Sequence, residues 1–188
     1  SKIARLLKQT KGIAISDETI AKYLMGCVDS FLFAEAKKYD IKGKNYFTYP
    51  SKYYVADIGL RNCWLNLRQQ EENHIMENMI FNEFVSRGMK PDVGVMESFE
   101  KDVNAKTIRK EREIDFVMNS PEGKYYIQSA FEISNSSKME QEIASLKKLC
   151  DYRKKIIINK DTPKPYYDEN GIFHCSIYDF LLDDDILK

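Results

Sequence analysis

An acidic residue in the middle of an apolar strand is the feature of this sequence that most directly suggests chemistry. Asp115 lies in the predicted strand Glu113–Val117, where Ile114, Phe116 and Met118 share one face and Glu113, Asp115 and Val117 share the other. A carboxylate in such a strand is costly unless a cation or a hydrogen-bond donor uses its charge. Turn-forming residues follow at 119–123. The second predicted strand, Tyr125–Ile133, alternates Tyr125, Ile127, Ser129 and Phe131 on one face with Tyr126, Gln128, Ala130 and Glu132 on the other.

Several sequence blocks, taken in order, resemble a known family. They are SDETIAKYLMGCVDSFLF, YDIKGKNYF, KYYVADIGLRN, MENMIFNEFVSRG, EIDFV, YYIQSA and IYDFLLDD. They resemble the C-terminal region of a prokaryotic group of AAA-type ATPases, a region catalogued as a domain of unknown function. The strand with Asp, the hairpin and the strand that follows also resemble the core of restriction-endonuclease-like, or PD-(D/E)xK, nucleases. The resemblance covers nearly the whole chain. It implies that an N-terminal ATPase domain, where ATP would bind, precedes this chain.

The nuclease resemblance implies a catalytic and metal site at Glu83, Asp115 and the position of Gln128, with Mg²⁺ or Mn²⁺ as the cofactor. The family has Glu and Lys on the second strand, but this chain has Gln128 and Ala130 there. Gln128 removes one negative charge, and Ala130 can bind neither phosphate nor metal. We therefore expect a noncatalytic domain that keeps a vestigial site. The alternative is a metal-dependent nuclease that uses Asp115 with substitute carboxylates.

The nuclease alternative needs other residues to take the roles of the missing Glu and Lys. Glu113 and Glu132 are the nearest acids, and Lys106 or Lys110 would have to reach in from a loop. Glu83 itself has two interpretations. It falls on the apolar face of a predicted helix, 74–87, as an acid facing the sheet would, but it also precedes Arg87 by four residues and could pair with it at the surface.

The first 72 residues predict a winged-helix-like domain, and residues 73–188 predict the restriction-endonuclease-like domain, an α/β mixed sheet flanked by helices. Ser16 is a suitable N-cap for a helix with an apolar stripe from Ile20 to Leu32. Strands are predicted at Phe33–Tyr39 and Lys52–Asp57. Helix, turn, helix and two strands together are typical of a winged helix.

A basic and aromatic segment in this winged helix suggests nucleic-acid binding. The lysines are Lys37, Lys38, Lys42, Lys44 and Lys52, against the single acid Asp40. Lysines next to exposed aromatic rings suit phosphate contact and base stacking. Against this, Asp17 and Glu18 begin the second helix, where they would repel phosphates. The aromatic residues could also be strand core, so DNA or RNA contact and a packing role beside an ATPase both remain open.

The amino-acid composition limits the classes of function and the cellular setting that the chain can have. Lys+Arg and Asp+Glu both number 29, so there is no overall basic excess. The four cysteines have no metal-ligand spacing, which indicates free thiols and a cytoplasmic setting. No apolar run approaches the ~18 residues that cross a membrane, and no GxxxxGK[ST] motif is present, so this chain by itself is not expected to be the ATPase. The expected partners are the ATPase domain, DNA or RNA, or further copies of the chain.

Overall fold

A computed structural model describes residues 1–47, 51–68, 71–101, 107–120, 123–131, 143–149 and 151–187. The described residues do not include Lys106 and Glu132, nor the side chain of Lys110. They also do not include Ser137 and Glu140, whose capping-box spacing predicts the start of a helix. Among the described residues, no helix is long and apolar enough to span a bilayer.

Two helices and a small sheet form the N-terminal part. Helix α1 spans Lys2–Lys11 and α2 spans Asp17–Asp29, and the Ser16 hydroxyl caps α2 by accepting the Thr19 N–H at 3.1 Å. Strand β1 (Phe33–Ala36) pairs antiparallel with β4 (Lys52–Val55), which leads into helix α3 (Ile58–Trp64). The predicted strand Phe33–Tyr39 is divided, because β2 (Lys38–Asp40) and β3 (Asn45–Tyr46) join the large sheet instead.

The large sheet is mixed and has eight strands in the order β3-β2-β5-β6-β7-β8-β10-β9. Its other strands are β5 (Asp92–Lys101), β6 (Thr107–Ser120), β7 (Gly123–Ala130), β8 (Lys154–Asn159), β9 (Tyr166–Tyr167) and β10 (Phe173–Ser176). The β2–β5, β7–β8 and β8–β10 pairs are parallel, and the other pairs are antiparallel. The predicted α/β class with a mixed sheet is therefore confirmed.

Helices cover both faces of this sheet. Helix α4 (Glu72–Ser86) and helix α6 (Ile177–Leu182) pack on one face, where Phe84 meets Phe116 and Phe180 with ring centroids 5.8 and 5.0 Å apart. Helix α5, described at 143–147, packs on the other face through Leu146. Strand β8 shows why a continuous apolar run forms a central strand, since Ile157 is buried on one face while its two isoleucine neighbours are buried on the other.

Strand β6 contains a β-bulge beside Asp115. Asp92 of β5 pairs with Val117 of β6. Two residues further along β5, Gly94 pairs with Ile114, which is three residues from Val117. Strand β6 therefore carries one extra residue at 115–116. Such bulges bend a strand and redirect its side chains, and they are frequent next to functional sites.

The bulge changes which side chains share a face. The prediction that Ile114, Phe116 and Met118 lie on one face is wrong, because Ile114 is buried on the α5 side while the other two are buried on the α4 side. The extra residue shifts the alternation by one. Asp115 and Phe116 both lie opposite Val93, so we infer that the Asp115 side chain turns toward the α4 side, where Val93 is buried.

Candidate functional site

A lysine surrounded by carboxylates is the main polar cluster on the α4 side of the sheet. The Lys52 ammonium lies 2.6 Å from Glu77 Oε1 and 3.0 Å from Glu113 Oε1. The Tyr54 hydroxyl donates to the same Glu77 oxygen at 2.6 Å. The negative charge of Asp115 also acts on Lys52 and Tyr54. We refer to Lys52, Tyr54, Glu77, Glu113 and Asp115 as the Lys52 cluster.

Three elements position the cluster. Strand β4 supplies the lysine and the tyrosine, α4 supplies Glu77, and β6 supplies the other two acids. Two asparagines of α4 hold the end of β4 in place: the Asn78 side chain accepts the Val55 N–H at 3.0 Å and donates to the Val55 carbonyl at 2.8 Å, and Asn82 donates to the carbonyls of Val55 and Ala56. Helix and strand are thereby fixed in the register that brings Lys52 to Glu77.

Burial and charge together set the protonation states in the cluster. Burial alone would lower the pKa of Lys52, but the charges of Glu77 and Asp115 outweigh it, so its pKa is raised above the ordinary lysine value. Burial, followed by the charge of Glu77, raises the pKa of the Tyr54 hydroxyl well above its usual range. Burial would raise the pKa of Glu113, but the two nearby lysines, Lys52 and Lys38, lower it overall. At neutral pH the cluster therefore holds a cationic lysine and an ionised Glu113.

Asp115 and Gln128 lie where the pairing of β6 with β7 ends. The last residues paired in register are Phe116 and Ile127. Beyond them, side-chain oxygens accept backbone N–H groups in place of the hydrogen bonds between the strands. Asp115 Oδ2 accepts the Ser129 N–H at 2.9 Å, and Gln128 Oε1 accepts the Asp115 N–H at 3.3 Å. The structure thus joins the Gln128 side chain to the backbone of Asp115. Gln128 serves there as an acceptor for backbone rather than as a charged ligand.

Position 130, where the nuclease resemblance implies a catalytic lysine, lies on the opposite face of the sheet from Ile127. Ala130 is buried in the core beneath α5, together with Tyr126, whereas Ile127 is buried beneath α4. The predicted alternation of β7 is confirmed by this arrangement. A side chain at position 130 would extend into the α5 core, away from the side on which the Lys52 cluster lies.

Glu83 is not in the Lys52 cluster. Its Oε1 accepts a hydrogen bond from Arg87 Nε at 2.8 Å, so the structure shows the i,i+4 pair that was one of its two interpretations. Arg87 also donates to the Phe180 carbonyl at 2.6 Å, which ties α4 to α6. Glu83 lies six residues beyond Glu77, or about 9 Å along the helix axis. The acid that α4 directs toward the lysine is Glu77.

The five lysines predicted to bind nucleic acid separate into two groups. Lys52 and Lys38 are engaged with acids of the sheet, since Lys38 Nζ lies 3.2 Å from Glu113 Oε2 and 3.6 Å from Glu111 Oε1. Lys37, Lys42 and Lys44 are exposed. Lys42 donates to the Glu97 carbonyl at 3.2 Å. The exposed group thus leaves its side chains open to solvent, with the Lys42 ammonium also bonded to the backbone.

Sequence reasoning missed Glu77 and did not place Lys52 correctly. Glu77 precedes the buried rings of Phe81 and Phe84 by four and seven residues, which puts it on the inner face of α4. That spacing was a usable signal. Nothing in the local sequence of Lys52 indicates a partner 25 residues further along the chain, because that contact depends on how β4 packs against α4.

The cluster as it stands does not fit the divalent cation that the nuclease resemblance implies. The Lys52 ammonium lies between two of the three carboxylates, at hydrogen-bond distance from each. A second positive ion in the same place would be repelled by it. Within the described part of the chain, no three His, Cys, Asp or Glu side chains are close enough together to hold a metal ion.

The fold and this cluster define a mixed α/β protein whose large sheet, covered by helices, holds a lysine among acids. Comparison with known proteins finds a relative in Haemophilus influenzae, described as an uncharacterized protein, that is 34% identical over 185 residues. The match covers 97% of this chain but 41% of the relative, so the chain spans less than half the length of that protein. No family model matches the chain, and no solved structure matches it.

Proposed function

We propose that this chain is the noncatalytic C-terminal region of an AAA-type ATPase, in which a winged-helix-like part and a restriction-endonuclease-like domain recognise a nucleic acid or another partner. The observation that carries the noncatalytic part of the proposal is the position of Lys52. Its charge compensates Glu77 and Glu113, where a nuclease would use a metal ion. Gln128 and Ala130 in place of the family's Glu and Lys support the same conclusion.

The ATPase part of the proposal rests on the resemblance of the sequence blocks. The Haemophilus relative is more than twice as long as the region that matches this chain, which leaves room in that protein for a further domain. In this proposal ATP would bind to such a domain. The chain would act in the cytoplasm and would couple recognition to the ATPase.

A second candidate, a metal-dependent nuclease, is favoured by one observation. The bulge and α4 bring Asp115, Glu113 and Glu77 to the same side of the sheet, and Mg²⁺ and Mn²⁺ prefer carboxylate ligands, but these three acids would have to move closer together to share an ion. For this activity Lys52 would have to leave its two carboxylate partners. The two candidates therefore differ in whether the lysine or a metal ion neutralises the acids.

Cleavage of labelled single- and double-stranded DNA and RNA, with Mg²⁺ or Mn²⁺, separates the two. We expect no cleavage that depends on Asp115, so the wild type and Asp115→Ala should give the same background. Cleavage that disappears in Asp115→Ala would refute the noncatalytic proposal. The same samples then enter a gel shift at two salt concentrations, which measures recognition without cleavage.

A metal titration tests the role of Lys52 directly. The thermal midpoint of the wild type should not change with Mn²⁺, because the lysine already occupies the space between the acids. Lys52→Ala should gain stability from Mn²⁺, by about 1.4 kcal/mol when the free ion is at ten times its dissociation constant. Lys164→Ala, at an exposed position, is the matched control. Equal stabilisation of all three proteins would contradict the proposal.

A further inference from the structure

A pocket of about 450 Å³ opens between α2 and the strands that follow it. Its walls are formed by Ala21, Met25, Val28, Glu35, Lys37, Tyr46, Phe47, Ser51 and Tyr53. The volume is in the range of small-molecule sites. Three of the wall residues are aromatic, and Tyr46 and Phe47 leave 55% and 38% of their surface exposed. The pocket thus presents aromatic rings to solvent inside a concave surface.

One of these rings is held in position from behind. The Tyr46 hydroxyl donates to Asp92 Oδ2 at 2.8 Å, and the Tyr46 ring meets the ring of Tyr39 edge to face with centroids 5.3 Å apart. Asp92 is only 7% exposed. The bond to Asp92 raises the pKa of Tyr46 to about 12, so the hydroxyl remains protonated and the bond persists over the physiological range. A ring fixed in this way loses little conformational freedom when a ligand binds.

Positive charge gathers next to the same ring. Lys37 lines the pocket and is exposed, and the ammonium of Lys124 lies 4.4 Å from the centre of the Tyr39 ring. Together with Lys90 these lysines act on the buried carboxylate of Asp92. The pocket wall itself carries one lysine, Lys37, and one acid, Glu35, and the other two lysines act on Asp92 behind the Tyr46 ring.

Aromatic walls with lysines beside them match the chemistry of a nucleotide chain. Flat bases stack on exposed rings, and phosphates bind the lysines. A base can enter a concave pocket only if it is unpaired, so a single strand fits and a duplex does not.

We infer that this pocket binds a base of single-stranded nucleic acid against Tyr46 and Phe47, and that Lys37, Lys90 and Lys124 bind the neighbouring phosphates. The inference rests on the proposed recognition function and specifies its ligand class and its surface. It reassigns the nucleic-acid contact from Lys38 and Lys52, which are engaged with acids of the sheet, to lysines around the pocket.

Fluorescence anisotropy with labelled 12-nucleotide single strands of DNA and RNA, and with a duplex of equal length, tests the inference. Phe47→Ala should weaken single-strand binding by about fivefold to one-hundredfold, since stacking on one ring contributes that much. Lys37→Gln and Lys90→Gln should each reduce the slope of log affinity against log salt by about 0.7. The matched controls are Tyr152→Ala and Lys164→Gln, at exposed positions outside the pocket wall, which should leave binding unchanged.

The outcomes separate failure of the inference from failure of the proposed function. Single-strand binding that is the same in Phe47→Ala and the lysine variants as in the wild type would overturn the inference, while recognition of nucleic acid would stand. Preference for the duplex would overturn it as well. Absence of binding to every strand would overturn both the inference and the nucleic-acid part of the proposed function. Far-UV circular dichroism melts of each variant confirm that the fold is retained.

Discussion

Replacing Lys52 by Met tests the energetic role of the cluster most directly. Methionine keeps an unbranched apolar side chain and removes the charge. The Lys52 side chain is 30% exposed and that of Glu77 is 11% exposed, so their ion pair is largely shielded from water. After the substitution, Glu77 keeps the hydrogen bond from Tyr54 but has lost its cation.

The expected loss in the free energy of unfolding depends on how buried the ion pair is and on which contacts Glu77 and Glu113 keep. Removing one partner of a buried ion pair costs about 3–5 kcal/mol, because the other charge stays buried without compensation. The remaining bond from Tyr54 reduces this cost. The contact with Glu113 adds little, about 0–1 kcal/mol, since that side chain is 37% exposed and still has Lys38 at 3.2 Å. We therefore expect a loss of about 2–4 kcal/mol, and a thermal midpoint lower by roughly 5–15 °C.

Urea unfolding followed by far-UV circular dichroism at pH 7 measures this loss, with Lys164→Met as the control for removing an exposed charge. A double-mutant cycle with Glu77→Gln isolates the pair. The double variant should recover about 1–3 kcal/mol relative to the sum of the single losses, because no charge then remains buried at that position. A loss below about 0.5 kcal/mol, or a cycle without coupling, would refute the argument that this pair is buried and strong.

The pH dependence of the same variants has a definite sign. The pKa of Lys52 is raised in the folded state, so its stabilisation is fully present below the ordinary lysine pKa and is lost as the pH rises through the raised value. The pKa of Glu113 is lowered, so its contribution is present above the ordinary glutamate pKa and is lost as the pH falls through the lowered value. The difference between wild type and Lys52→Met should thus be nearly constant from about pH 6 to pH 9.

Three further predictions concern the surroundings of the site. Gly94→Ala should destabilise by about 1–3 kcal/mol in urea unfolding, because its Cβ would lie 2.6 Å from a methyl of the strand opposite; an unchanged midpoint would contradict the close packing at the bulge. Arg87→Met should cost about 2–3 kcal/mol in the same assay and Glu83→Gln clearly less, because the arginine also binds backbone carbonyls near α6; equal losses would count against this. Burial raises the pKa of Asp92, so its ionisation opposes folding and stability falls as the pH rises above the ordinary aspartate pKa through the raised one; Asp92→Asn should therefore flatten the acid side of the stability profile, and an unchanged profile would exclude this.

The parts of the fold that periodicity encodes were predictable from the sequence. The apolar run of Ile156, Ile157 and Ile158 is typical of a strand that is covered on both faces, as β8 is, and the alternation of β7 correctly separated Ile127 from Ala130. Ser16 was predicted as the cap of α2 and has that role. These features depend on residues within one element, so the local sequence is sufficient to predict them.

The candidate site was predictable only in part. Asp115 and Gln128 were expected as members of one site, and in the structure the Gln128 side chain bonds to the backbone of Asp115. The bulge was not expected, because Ile114, Phe116 and Met118 fit an unbroken alternation; it shows in the pairing of Asp92 and Gly94 with β6. The contact of Lys52 with Glu77 depends on the packing of two elements that a linker separates, and no periodicity encodes that.

The charges of the cluster suggest how a group of acids can be stable in this sheet without a metal ion. Asp115, Glu113 and Glu77 bring carboxylates to one side of the sheet, and Lys52 and Lys38 bring two positive charges to them. Two lysines supply the same charge as one divalent cation, but they are covalently part of the chain and need no ion from solution. Acids that would repel one another in an empty site are then stabilised without a bound ion. In the proposed function, this exchange accounts for Asp115 in a chain whose Gln128 and Ala130 could not support catalysis.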